Sequence, residues 1–309
     1  MNFNRRKFLQ SAGTLALGSV AFSGRAGSLL KFTDPHPVGL QLFTFFGVID
    51  EDVKGTLTKI AAVGYREMES AFSKKGGYYG LKPKEFKALV NDLGMSWKSH
   101  HVLGAPFKLP KGYKMPLGAD GKPMVIPPMM NLRDNMQQLV DEAAEGGIQY
   151  LVCANAPTET LEDIKSTVKI LNSTGEAAKK VGIQFAYHNH DMEFKAVDGK
   201  IPYHLLLSET SPQNVKMELD LAWAIKGGQD PVEMFKAHPG RFPLWHVKDL
   251  DATHTNILPV GSGTIDFKRI FEHQQSSGMK HFFVEHDNPK APFQSIESSY
   301  KYITQTLKA

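Results

Sequence analysis

The chain is predicted to be an α/β protein folded as a single (β/α)8 TIM barrel, and three observations predict it. Short β-rich runs alternate with longer helical patterns from residue 38 onward. Eight such strand-then-helix units fit within about 270 residues, the count and size of a closed barrel. Several helical patterns stop on glycine just before the next strand, at Gly64, Gly94, Gly146-Gly147, Gly182 and Gly278, where a left-handed backbone ends a helix. With 309 residues and 41% hydrophobic side chains, the chain can bury one large core and is too polar for a multi-span membrane protein. Cys153 is its one cysteine, which excludes disulfide scaffolds and Cys-rich zinc modules.

Each element follows from periodicity. Strands are expected at Gly39–Phe45, Arg66–Ser70, Ser96–Val102, Gln149–Asn155, Gln184–His190, Lys216–Leu221, Leu244–Asp249 and His281–Glu285. Apolar residues at three- and four-residue spacing place helices at Val53–Val63, Pro83–Leu93, Met129–Glu145, Leu161–Val181 and Phe267–Ser277. An open doubly wound sheet would carry a glycine-rich turn after its first strand, and Phe43-Thr44-Phe45-Phe46-Gly47 is not one. No composition break divides residues 38–309. The longest irregular stretch, Leu103 to Pro128, holds six of the eighteen prolines and is expected to be a lid or binding element.

The formal charge of +4 is concentrated in a basic amino-terminal segment. Asn4-Arg5-Arg6-Lys7-Phe8-Leu9-Gln10 puts a twin arginine ahead of a mildly apolar run, Ala12 to Phe22, and Ser23-Gly24-Arg25-Ala26-Gly27 offers small residues for cleavage. Residues 1–27 are therefore expected to be a twin-arginine (Tat) signal peptide and the mature protein periplasmic, with no stable membrane anchor. Cleavage near Ala26 removes Arg5, Arg6, Lys7 and Arg25 and no acid, leaving a formally neutral domain. Nucleic acid, whose binding is built from many phosphate contacts, is thereby excluded as the expected partner.

In such a barrel, chemistry sits at the carboxyl ends of the strands. Four of them end in potential metal ligands: His188-Asn189-His190, Glu218-Leu219-Asp220, His246-Val247-Lys248 and Glu285-His286-Asp287. Strand alternation puts His188 with His190, Glu218 with Asp220, and His246 with Lys248 on common faces. Two imidazoles and two carboxylates around one axis suit one divalent ion such as Mn²⁺, Co²⁺, Zn²⁺ or Mg²⁺. Any one of these residues alone reads better as a helix cap or a satisfied surface group; burying four of them without a counter-ion is expensive. Glu69 and His101 are expected to face the mouth from the second and third strands and to bind substrate, as are His190 and Trp223. Glu218 is expected to pair with an inward lysine, Lys98 or Lys216.

The run Trp245-His246-Val247-Lys248-Asp249, then Pro259 to Phe267, then Phe283-Val284-Glu285, resembles the xylose-isomerase-like sugar phosphate isomerase/epimerase family. Gly64-Tyr65-Arg66-Glu67-Met68-Glu69 and Ser99-His100-His101-Val102 are similar to its second and third strands. The resemblance spans about residues 38 to 305 and implies a TIM barrel that holds one divalent metal through Glu, Asp, His and Glu on strands five to eight. Asp220, His246 and Glu285 match the last three of these positions. The first holds His188 in place of glutamate, so the fourth ligand is His188, Glu193 from the following loop, or water.

The expected activity is a metal-dependent sugar isomerase or epimerase acting through an enediolate, with Glu285 as base, His188 as the opposite acid/base and Lys248 stabilising negative charge. The expected substrate is an unphosphorylated sugar or keto-sugar, because phosphate-cradling loops are absent and sugar phosphates are mainly cytoplasmic. A lyase or hydrolase acting on keto-glycosides would use the same intermediate. A non-catalytic exported sugar-binding barrel is the competing class, and homo-oligomerisation stays open.

Overall fold

A computed structural model describes residues 36–106 and 129–307. The signal expected over residues 1–27, and residues 107–128 of the long proline-rich loop, lie outside the described residues. Eight parallel strands close into a barrel. They are β1 (Gly39–Gln41), β2 (Glu67–Ser70), β3 (Ser96–Leu103), β4 (Tyr150–Asn155), β5 (Gln184–His188), β6 (Val215–Asp220), β7 (Leu244–Val247) and β10 (His281–Val284). Each strand pairs with its sequence neighbour in the barrel, and β1 closes the ring against β10. A two-residue antiparallel pair, β8 (Asp249–Leu250) and β9 (Ile257–Leu258), decorates the loop after β7. Among the described residues, no helix is long and apolar enough to cross a membrane.

Alternation along the strands builds two separate cores. Leu151, Cys153, Phe185, Tyr187, Leu219, Trp245, Val247, Phe282 and Val284 belong to the large layer between strands and helices. Trp245 stacks there on Phe235 at 4.8 Å with the rings 4° apart, and burying each such side chain contributes about 1.5–3 kcal/mol. Val152, Ala186, Leu244 and Phe283, one residue out of step with that set, form a second cluster within the barrel. Continuing the inward parity from Ala186, Leu244 and Phe283 toward the carboxyl ends gives His188, His246 and Glu285. The apolar cluster is thus a floor, and the polar side chains stand on it.

Helices start where a side chain can cap them. Asp52, Asn131, Thr160, Asp220, Asp230 and Asp266 each accept a hydrogen bond from a backbone N–H of the first turn. Gly147 (φ 60°) and Gly278 (φ 83°) end their helices in the left-handed region that side chains with a Cβ resist.

The expected first strand is the element most altered. Only Gly39–Gln41 is extended, and Leu42–Phe45 is a 3-10 turn, because the Gln41 side chain accepts from Phe43 N–H at 3.0 Å and caps it. The segment expected as one helix at Phe267–Ser277 is two short ones, Phe267–Phe271 and Gln274–Ser277. Proline-initiated helices at Pro202–Glu209, Pro231–Ala237 and Pro292–Tyr302 and a short one at Leu221–Lys226 complete the outer layer.

Candidate active site

The ends of β6, β7 and β10 aim Asp220, His246 and Glu285 at one point. One donor atom from each lies within 4.8 Å of the others, and all three side chains are buried. His246 Nδ1 is 2.6 Å from Glu285 Oε2 and 4.0 Å from Asp220 Oδ2. His188 joins from β5, with Nε2 3.9 Å from Asp220 Oδ2. Asp220 divides its carboxylate: Oδ1 accepts from Trp223 N–H at 2.8 Å and caps the next helix, while Oδ2 faces the site. Asp220 is thus a helix cap through one oxygen and leaves the other turned to the site.

Lys248 crowns this group. It is 1% exposed, and its Nζ stands 2.7 Å from Glu285 Oε2, 3.0 Å from Asp220 Oδ2 and 2.8 Å from Asp287 Oδ2. Burial opposes its charge, but Asp220, Asp287 and Glu285 outweigh it and hold the ammonium well above the usual lysine range. Burial likewise disfavours an ionised Glu285, and Lys248 with His246 reverses that, keeping its carboxyl ionised down to strongly acidic pH. Asp287 is pushed up, chiefly by burial, against the pull of Lys248. The sequence assigns Asp287 no role of its own, and its signal is its place two residues after Glu285 in the run Glu285-His286-Asp287.

Below this ring lies a second one. Glu69 is 0% exposed, accepts from Gln41 Nε2 at 2.7 Å and from Ser99 Oγ, and faces His101 Nε2 at 3.0 Å and His246 Nε2 at 2.5 Å. Glu218 Oε2 is 2.6 Å from His101 Nε2, 3.0 Å from His188 Nδ1 and 3.2 Å from His246 Nε2. The expected lysine partners of Glu218 are not there. Lys98 pairs with Glu67 at the opposite end of the barrel and Lys216 bonds the Gly240 carbonyl, because both lie nearer the amino ends of their strands, whereas imidazoles surround Glu218. Burial works against a charged His101, but Glu69 and Glu218 lift it to about 9. His188 is held well below the usual histidine range by burial and by the neighbouring His246 and His101.

Of the other residues singled out, His190 is half-buried with its ring 5.0 Å from that of His188 and 6.1 Å from Trp223. Trp223 is half-buried, its indole 5.4 Å from Lys248 Nζ and its Nε1 without a hydrogen bond among the described residues. Glu193 engages both oxygens elsewhere, accepting from Tyr187 Oη at 2.7 Å and His190 N–H at 2.9 Å. It braces the loop after β5 and stands outside the converging groups. His286 bonds Ser295 Oγ.

The donor chemistry fits a divalent cation. Among the described residues, buried Asp220 Oδ2 makes no well-formed hydrogen bond; Lys248 Nζ approaches it at 3.0 Å, His188 Nε2 at 3.9 Å and His246 Nδ1 at 4.0 Å, so this carboxylate oxygen keeps acceptor capacity turned to the site. A mixed set of carboxylate and imidazole donors suits Mn²⁺, Co²⁺, Zn²⁺ or Mg²⁺.

A closed barrel with buried, converging acids and imidazoles at its carboxyl mouth defines an enzyme of the TIM-barrel class. The chain belongs to the xylose isomerase-like TIM barrel family, whose model matches residues 57–306. The structure of a sugar phosphate isomerase/epimerase from Parabacteroides distasonis is 28% identical, covers 87% of this chain and 94% of its own, and superimposes with a TM-score of 0.70. An inosose dehydratase from Lacticaseibacillus casei is 27% identical over 186 residues, 53% of this chain; the match spans 62% of that relative's length. An L-ribulose 3-epimerase, 13% identical with a TM-score of 0.64 over 88% of this chain and 95% of its own, shares the fold.

Proposed function

We propose that the barrel is a divalent-metal-dependent enzyme that removes a proton beside the carbonyl of a small polyhydroxylated ketone, an unphosphorylated keto-sugar or keto-polyol. The observation that carries this reading is the buried convergence of Asp220, His246 and Glu285 against Lys248. These three, with His188, would hold one ion. When bound, it supplies Lewis-acid polarisation of a carbonyl and its neighbouring hydroxyl.

The chain's own groups then divide the work. Glu285, kept ionised by Lys248 and His246, takes the proton as the C–H bond breaks and its electron pair enters the enediolate. Lys248 donates to the developing oxyanion. Asp287, accepting from Lys248 at 2.8 Å, holds that ammonium in place, and the proton taken by Glu285 passes to the departing β-hydroxyl, which leaves as water. Trp223 and His190 form a wall for a sugar-sized ring.

Elimination is the outcome favoured by the dehydratase relatives. Return of the proton to the adjacent carbon, an isomerisation, is the second reading, favoured by the 28% identical isomerase/epimerase structure. His188 in place of a glutamate on β5 supports elimination over an epimerisation that needs two facing carboxylates. The twin arginine at Arg5-Arg6 supports a periplasmic setting and hence a free, unphosphorylated substrate.

The test is elemental analysis of full-length protein purified without chelator, followed by NMR of a keto-sugar and inosose panel in D₂O. One equivalent of metal, and deuterium wash-in at the α-carbon abolished by chelator, are expected. Protein that holds no stoichiometric metal and exchanges no panel member would sink the reading. Faster turnover of phosphorylated than of free sugars would overturn the substrate class.

A further inference from the structure

We propose that a cavity on the outer face of β3 is a binding site for a small uncharged alcohol, held by the hydroxyl of Tyr78 and separated from the converging acids and imidazoles by the strand itself. The inference goes beyond the function proposed above and does not rest on it.

The cavity follows from alternation along β3. His101 turns into the barrel to meet Glu69 and Glu218, so its neighbours His100 and Val102 turn outward, toward the helices. Val102 packs in the layer between strands and helices, and the His100 ring lies 4.6 Å from that of Tyr78. Leu139 and Glu142 of the helix Leu132–Gly146 border the same space, with Met130 ahead of that helix and Phe72 on the loop after β2. What these side chains leave is a cavity of about 110 Å³. Gly76 and Gly77, both exposed, also border it. A side chain at Gly76 would meet no atom within 4 Å, so the backbone leaves that edge open. An apolar cavity of about 150 Å³ takes up benzene, which sets about six heavy atoms as the size of a ligand here.

The Tyr78 hydroxyl makes this space more than a packing gap. Tyr78 is 1% exposed, and its ring is fixed against Trp97 at 4.8 Å and Phe86 at 6.2 Å as well as His100. Among the described residues, its buried Oη has no hydrogen-bond partner. Burial, with Glu142 and Glu145 nearby, holds this hydroxyl above the ordinary phenol range, so it keeps its proton and can donate. A buried hydroxyl without a partner is costly, and a ligand that accepts from it removes that cost. Glu142 offers an acceptor at the same cavity, and its charge repels an anion. A ligand hydroxyl answers both groups, accepting from Tyr78 and donating to Glu142. Phe72, Val102, Met130 and Leu139 present carbon and sulfur alone. A polyhydroxylated ketone of the kind proposed for the barrel mouth would leave hydroxyls unpaired against them, so this is no second copy of that site.

The experiment uses full-length protein labelled with ¹³C-methyl methionine. The signals of Met129 and Met130, which both border the cavity, are assigned with Met129→Leu and Met130→Leu. The protein is titrated with cyclopentanol, cyclopentane and cyclopentylammonium. Cyclopentanol is expected to shift both signals saturably and to bind about tenfold tighter than cyclopentane, the worth of one hydrogen bond. Tyr78→Phe keeps the ring and is expected to lose that preference, with a thermal midpoint at or above the wild-type value because the unpartnered hydroxyl has gone. Leu139→Phe, which fills the space from the helix side, is expected to abolish the shifts. The proposal is overturned if none of the three probes moves the Met129 or Met130 signal, if either variant binds cyclopentanol as the wild type does, or if cyclopentylammonium binds more tightly than the alcohol. A crystal structure grown with cyclopentanol in which a water alone bonds Tyr78 would overturn it as well.

Discussion

Lys248 and Glu285 form a buried ion pair at 2.7 Å, and the same ammonium also reaches Asp220, so it shares both carboxylates with the ion that the site would hold. Removing it separates two properties that usually fall together. Lys248→Met is expected to lower kcat by about 100- to 1,000-fold, the usual loss when a donor to a developing oxyanion is deleted. Metal affinity is expected to hold or rise, because a competing positive charge has gone. Steady-state turnover alongside chelator competition checks this. A variant that loses metal and turnover in parallel would show that Lys248 organises the ligands and does not act on the substrate.

Trp223 is placed by a backbone device: Asp220 Oδ1 caps its helix, and the indole stands beside Lys248. Trp223→Ala is expected to raise KM about 2- to 12-fold, the range set by the 0.5–1.5 kcal/mol of an aromatic contact, while metal content stays at the wild-type level. An unchanged KM across the keto-sugar panel would remove Trp223 from the substrate wall.

His100 is a buried imidazole away from the ligands, bonded to Ser70 Oγ at 2.7 Å and packed against Tyr78. Burial and the neighbouring His101 lower it to about 3, so the folded state favours the neutral ring. The unfolded chain protonates near pH 6.5, hence this stability is complete above about 6.5 and is lost as pH falls toward about 3. The loss is at most about 5 kcal/mol, from 1.36 kcal/mol per unit. Urea midpoints measured from pH 7 to pH 4 are expected to fall less steeply for His100→Gln than for the wild type. Parallel pH slopes for the two proteins would show that His100 contributes nothing to acid lability.

Much of the barrel was legible in the sequence because its period-2 and period-3.6 patterns are local. Helix Val53–Val63 and the glycine stops of its neighbours are written in adjacent residues. The site was half legible: strand parity at β5, β6 and β7 points His188, Asp220 and His246 inward wherever the strands end up. The partners of Glu218 were not legible. Lys98 and Lys216 share its charge complementarity, but depth along the barrel axis decides contact, and depth follows from the stagger between strands, which no local pattern encodes. Leu42–Phe45 failed for a related reason: its apolar run suits a strand, and the Gln41 side chain turns it into a 3-10 cap. The short helices begun by Pro202 and Pro231 lacked enough turns to show a period.

Asp249 is buried one residue beyond Lys248 and anchors the loop that follows. Its carboxylate accepts from the N–H groups of Gly261 at 2.9 Å, Gly263 at 2.8 Å and Ile265 at 3.1 Å, as well as from Leu250 at 2.9 Å. A side chain at Gly263 would run into this carboxylate and the Leu250 carbonyl, which explains the glycine in the Gly261-Ser262-Gly263 sequence. The arrangement folds residues 250–265 back beside β7 and fixes the strand end that carries Lys248. Asp249→Ala deprives several partly buried N–H groups of a charged acceptor, and hydrogen bonds to charged groups are worth about 1.5–3 kcal/mol each. With water replacing some of them, a loss of about 2–4 kcal/mol is expected in urea unfolding. Amide exchange should speed up selectively at Gly261, Gly263 and Ile265, and kcat should fall through displacement of Lys248 while the Zn²⁺ affinity of the Asp220, His246 and Glu285 group stays near wild type. Exchange that speeds up uniformly across the barrel would mean that Asp249 supports the whole fold and not this loop.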